Sequence, residues 1–136
     1  MREIKFRIWD GIKLIYQDDI NYIDFRSGFA SVFDEYNYVD NCSKDININS
    51  IMQYTGLKDK NGTEIYEGDI VKGTLKGNSD EVLSITHVKW DRGQFDLFSD
   101  FNSNSWENAL YNYMQFYNVE VIGNTYENPE LLEGRF

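Results

Sequence analysis

Apolar and polar positions alternate from the start of the chain. Ile4, Phe6 and Ile8 share one phase and Lys5 and Arg7 the other; after Asp10-Gly11, Ile12, Leu14 and Tyr16 resume the alternation. A period of two marks a half-buried strand, and Asp-Gly between two such runs marks a hairpin, because both residues tolerate positive φ. The pattern predicts a β-hairpin over residues 3–16 that turns at Asp10 and Gly11. Residues 17–50 then change character. Phe29, Val32, Phe33 and Tyr36 recur at i, i+3, i+4 and i+7, a helical face that Ser27 could cap, although their β-branched and aromatic content also suits a strand. Residues 40–50 read as a polar loop.

From residue 51 the pattern is β. A short strand is expected over 51–54 and a longer one over 82–90, where the apolar phase slips between Ile85 and Val88 as at a bulge. Residues 94–98 follow the turn Asp91-Arg92-Gly93. Asn104 with Glu107 has capping-box spacing, and beyond it Trp106, Leu110, Tyr113, Met114 and Tyr117 fall on one helical face. A last strand is expected over 118–122, ending at Gly123-Asn124. Asn128 then stands as a cap, with Pro129 at the first position of a single turn before Gly134.

Between these strands lies the stretch YTGLKDKNGTEIYEGDIVKG, residues 54–73, dense in glycine and charge. It fails as a Walker A loop, because Lys72 and Lys76 are each followed by glycine and not by a hydroxyl residue. It fails as an EF-hand as well. With Gly62 sixth, the first position is Leu57 and the twelfth Gly68, and neither can ligate through a carboxylate. Two tight turns explain it: Asn61-Gly62 between the apolar positions Leu57 and Ile65, and Gly68-Asp69 running into Ile70-Val71. A Gly-Asp before a β-branched pair commonly opens the first strand of a small SH3-like barrel.

Three blocks carry a resemblance: KFRIWDG near the start, MQYTGLKDKNGTEIYEGDIV in the middle and VIGNTYENPELLE near the end. In this order, from Lys5 to Glu133, they resemble the YopX family, small proteins of bacteriophages and prophages. The resemblance implies a mainly β (α+β) fold, an SH3-like β-barrel with an N-terminal β-hairpin and short helices. It also implies a phage setting with no established biochemical activity. Residues 17–50 match no motif of the family. The expected organisation is one domain over 1–136: a hairpin (1–16), a variable acidic insertion (17–50), and a barrel core with a C-terminal turn (51–136).

The 136 residues suffice for one domain with a real core. Hydrophobic residues at 41% and aromatics at 16% argue against disorder despite a mean hydropathy of −0.57. Acids outnumber bases 23 to 13, a formal net charge of −10, and residues 17–50 hold seven acids against Arg26 and Lys44. Such a surface repels nucleic acid and anionic lipid at long range and favours basic partners. No apolar run reaches membrane-spanning length, and the start lacks the apolar stretch of a signal peptide. Together with a single cysteine, Cys42, these features point to the cytoplasm of a bacterial host.

Catalytic chemistry finds no complete set. His87 is the lone histidine and has no second soft ligand for zinc. Asp18-Asp19 and Asp34-Glu35 are adjacent pairs, which point to opposite faces of a strand. The chain therefore reads as a non-enzyme without metal or cofactor. Candidate binding residues are the aromatics Tyr54, Tyr66, Trp90 and Trp106; Asp10, Gly11, Asn61, Gly62, Gly68 and Asp69 are structural turn residues. Core packing is the leading role for the aromatics, with a protein interface next. The expected partners are further copies of the chain, as a closed homo-oligomer, or a phage or host protein. Two alternatives stand beside this reading: a nucleic-acid-binding barrel that stacks bases near Lys58, Lys60, Lys72, Lys76, Lys89 and Arg92, and an acidic mimic that engages a host DNA-binding protein.

Overall fold

A two-residue turn at Asp10-Gly11 would set Ile8 against Lys13, leaving the buried Ile8 with a charged neighbour. In the computed structural model, which describes residues 3–34, 39–45, 50–91, 93–98 and 109–133, the turn is longer. Strand β1 (Phe6–Trp9) pairs antiparallel with β2 (Leu14–Tyr16), and Ile8 lies opposite Ile15. Asp10 Oδ1 accepts the N–H groups of Ile12 and Lys13, each at 2.8 Å, and Asp10 N–H donates to Lys13 O at 3.1 Å. Gly11 takes φ +100°. The expected hairpin and its turn residues are present, but the second run is out of phase with the expectation. Ile15 turns inward, and Ile12 is 85% exposed. The Asp10 carboxylate causes this shift by holding two further residues in the loop.

Residues 17–34 and 39–45 are not helix and loop. A 3-10 turn at Gln17–Asp19 leads into a three-stranded antiparallel meander, β3 (Ile20–Asp24), β4 (Phe29–Asp34) and β5 (Val39–Asp45). The helical reading through Phe29, Val32 and Phe33 is therefore overturned, as is the polar-loop reading where it covers 40–45; Tyr36 lies outside the described residues. Alternation decides the matter. Ala30 and Val32 are fully buried with Ile8 and Ile15, with Ile20, Ile23 and Ile51 packed around them. Ser27 caps no helix; its N–H and that of Arg26 reach Asp24 Oδ1 in the β3–β4 turn. β6 (Ile51–Lys58) completes this part, its first three residues pairing with β1.

The chain divides into two compact units, Met1–Gln53 and Tyr54–Phe136. In the second, the later residues of β6 pair with β7 (Glu64–Tyr66). A four-stranded antiparallel sheet follows from β8 (Asp69–Leu75), β9 (Asn78–Asp91), β10 (Gln94–Phe98) and β11 (Tyr117–Asn124), in the order β10-β9-β8-β11. The mainly β expectation holds. Helix α1 (Leu110–Phe116) places Leu110 in a core with Ile65, Val71, Val88, Leu97 and Val119, and Tyr113 and Met114 pack against it. Trp106, Asn104 and Glu107 lie outside the described residues. Tyr117 opens β11 and does not extend the helix.

The slip in β9 is displaced from its expected place. Gly73 lies opposite Ser84 and Thr74 opposite Val82, so Leu83 is the extra residue. Thr86 and Val88 continue the buried phase without interruption, whereas Ile85 sits on the other face, opposite Lys72. An apolar residue on the second face of a sheet mimics a phase slip when read from sequence alone.

Candidate functional site

The glycine-rich stretch is built around two carboxylates. Asp59, 7% exposed, accepts three backbone N–H bonds. Oδ1 takes those of Asn61 at 2.8 Å and Thr63 at 2.9 Å, and Oδ2 takes that of Val121 at 2.9 Å. Around it, Asp59 N–H donates to Thr63 O, Gly62 N–H to Asp59 O and Lys60 N–H to Val119 O. Gly62 has φ +83°, a conformation that suits glycine. The loop thus covers the outer edge of β11 at Val119 and Val121. Leaving that edge bare would expose unpaired backbone groups to other chains.

The second turn is held just as firmly. Asp69, 2% exposed, accepts the N–H of Tyr66 through Oδ2 at 2.8 Å. Gly68, at φ +83°, donates its N–H to Val88 O and accepts that of Thr125, both at 2.8 Å. The C-terminal block joins here. Asn124 Oδ1 accepts the N–H groups of Tyr126 and Glu127, and its Nδ2 donates to Glu127 Oε1. Asn128 makes no side-chain cap on the turn Pro129–Leu132, contrary to expectation. Its Oδ1 accepts Asn124 N–H instead, and Gly123 allows the approach: a Cβ there would lie 2.5 Å from that oxygen. A carboxylate or amide holding two or three backbone donors has its lone pairs engaged, so proton transfer or metal ligation there would first break the turn.

The aromatic candidates occupy different environments. Tyr54 and Tyr66 are buried, 5% and 3% exposed, with ring centroids 5.5 Å apart across β6 and β7. Trp90 is 49% exposed and meets Phe95 edge-on at 4.8 Å. Trp106 and Arg92 lie outside the described residues. Tyr113, docked by its hydroxyl on Ser84 at 2.9 Å, fills the space that a Cβ on Gly73 would need. Burial pushes the Tyr113 hydroxyl above its ordinary pKa, and the Ser84 bond offsets part of that rise.

Lys60, Lys72 and Lys89 have partners within the unit. Lys60 Nζ lies 3.4 Å and Lys72 Nζ 3.6 Å from Glu120 Oε2. Lys89 stands 5.1 Å from the Phe98 ring centre, and His87 stacks on the same ring at 6.1 Å. Among the described residues, no three His, Cys, Asp or Glu side chains converge as a metal set, and no helix is long and apolar enough to cross a membrane. Asp59 and Asn124 were not singled out by sequence reasoning. The signal available for Asp59 was its place two residues before Asn-Gly, where a carboxylate closes an Asx turn.

These features define a class: a small, mostly β protein whose motif residues hold turns and sheet edges. The profile of the family described as YopX protein matches residues 5–133, and the chain belongs to that family. It is 30% identical over 131 residues to the SPbeta prophage-derived uncharacterized protein YopX of Bacillus subtilis (strain 168), covering 95% of this chain and 96% of that one. The crystal structure of protein yopX from Bacillus subtilis superposes with a TM-score of 0.68 at 24% identity, over 100% of both chains. That of protein EF1440 from Enterococcus faecalis gives 0.56 at 30% identity, over 98% of this chain and 100% of that one.

Proposed function

We propose that the chain is a prophage-encoded accessory protein that acts by binding protein, either a partner or further copies of itself, and not by catalysis. One observation carries this reading. The polar groups of the family blocks, Asp59, Asp69 and Asn124, hold backbone N–H groups, while Tyr22, Phe25, Trp90 and Phe116 are exposed at 59%, 52%, 49% and 71%. Exposed aromatics are interface material, and engaged carboxylates are poor catalysts. The relative's description as a prophage protein supports the phage setting, with the host cytoplasm as its place of action. Within this reading the sheet of β8 to β11 is the SH3-like element. Nucleic acid is disfavoured, since Lys60 and Lys72 share Glu120 and the net charge is −10.

Sedimentation at micromolar concentration across a salt series tests self-assembly. A closed oligomer that tightens as salt screens the repulsion is the expected result. A single 16.0 kDa species throughout would remove the self-assembling form and leave the partner-binding one. Cross-linking in phage-infected cells, with mass spectrometry of the linked peptides, then tests partner binding.

A further inference from the structure

Asn61-Gly62 is the one Asn-Gly step in the sequence. In an unstructured chain such a step is chemically unstable. Once the Gly62 backbone nitrogen loses its proton it can attack the Asn61 side-chain carbonyl carbon, because glycine puts no side chain in the way. A bond forms from that nitrogen to the carbon, the bond from the carbon to the side-chain amide nitrogen breaks, and ammonia leaves. Water then opens the cyclic imide. Opening at the main-chain carbonyl, the easier route, leaves isoaspartate; opening at the other leaves aspartate. Water is the only co-reactant, and nothing is oxidised or reduced. Both residues are exposed, and a Cβ on Gly62 would meet nothing within 4 Å, so solvent reaches the step.

The fold holds the reacting nitrogen protonated. Gly62 N–H donates to Asp59 O at 3.0 Å, and the carboxylate of the same residue accepts the N–H groups on either side, from Asn61 and Thr63. Removing the Gly62 proton would break the first bond and set a negative charge against a carbonyl oxygen and a carboxylate. The loop is tied to β11 as well, by Lys60 N–H on Val119 O, by Val121 N–H on Asp59 Oδ2, and by Lys60 Nζ at 3.4 Å from Glu120 Oε2. We propose that Asn61 is a latent deamidation site, shut while the loop lies on β11 and open when it lifts, and that the reaction releases this sheet edge irreversibly. Isoaspartate adds a carbon to the main chain between position 61 and Gly62. The N–H groups of positions 61 and 63 then no longer reach Asp59 Oδ1 together, and a new carboxylate stands two residues from Asp59. The turn cannot re-form, Val121 N–H loses its acceptor, and the edge is bared to other chains. The site sets the lifetime of the closed edge, a property separate from the protein-binding reading above.

Ageing of the full chain in neutral buffer tests the site, with peptide mapping by mass spectrometry and isoaspartyl methyltransferase labelling of the product. A synthetic peptide of residues 57–64 supplies the rate in an open chain. Reaction in the folded chain follows the population of the open loop, so position 61 should react at least about tenfold more slowly there than in the peptide. Asp59→Ala, shown by circular dichroism to be folded, should bring the rate to within roughly threefold of the peptide's. If that variant does not fold, Asp59→Asn decides: its amide keeps one oxygen for the turn and loses the other from Val121, and it should react faster than the native chain. In the aged isoaspartate form, hydrogen exchange should show the Val121 amide stripped of protection. A native rate equal to the peptide's, no acceleration in a folded Asp59 variant, or a Val121 amide still protected after reaction would each overturn the proposal.

Discussion

Asp59 Oδ2 accepts the backbone N–H of Val121 at 2.9 Å, joining positions 62 residues apart in sequence. One oxygen of the carboxylate closes the local turn and the other pins that turn to the edge of β11. Local chain reversal and long-range closure thus depend on one side chain. Asp59→Ala should cost about 3 kcal/mol, since hydrogen bonds to a charged acceptor are each worth roughly 1.5–3 and the released amides are partly re-solvated. Urea denaturation measures this; a loss below about 1 kcal/mol would show that the edge is held by other contacts.

Gly68 and Gly11 separate backbone strain from tertiary bonding. Both have positive φ, and nothing lies within 4 Å of a Cβ at Gly11. Gly68 differs in carrying two long-range backbone bonds, to Val88 and Thr125. Alanine at either should cost roughly 1 kcal/mol in strain, with Gly68→Ala the more damaging because relaxing its φ would disturb both bonds. Equal melting temperatures for the two variants would contradict that ranking.

Tyr113 gives the fold an alkaline limit. Its folded pKa is raised above the ordinary tyrosine value of 10.0, burial being the main cause. The folded state therefore holds the proton more tightly than the unfolded state. The sign is fixed: its contribution is fully present below pH 10 and is lost as pH rises through the raised value. Tyr113→Phe should lose about 1 kcal/mol at neutral pH, with the Ser84 bond, yet show a shallower decline above pH 10. Parallel slopes in alkaline unfolding would mean that the hydroxyl is solvated in the folded state.

Calcium or zinc at sub-millimolar concentration should leave the melting temperature unchanged, because Asp59 and Asp69 already hold backbone donors and an ion stabilises only by binding the folded state. A rise of several degrees would reveal a site elsewhere.

What the chain determined by itself lies close together in sequence. Asp10-Gly11, Asn61-Gly62 and Gly68-Asp69 are turns because their conformational demands involve neighbours only, and the run 94–98 became β10 on its own alternation. The three family blocks were legible for the same reason, as contiguous residues. Tertiary structure decided what a short window leaves degenerate. Phe29, Val32 and Phe33 fit a helical period or a strand equally well until Ala30 and Val32 found Ile8 and Ile15 across a core. Ile85 mimicked a bulge because both faces of its sheet bury residues. The long-range role of Asp59 was not legible, because a carboxylate has two oxygens and only the folded chain brings Val121 to the second. Pairing at such separation depends on loop closure and shared burial, which no local pattern encodes.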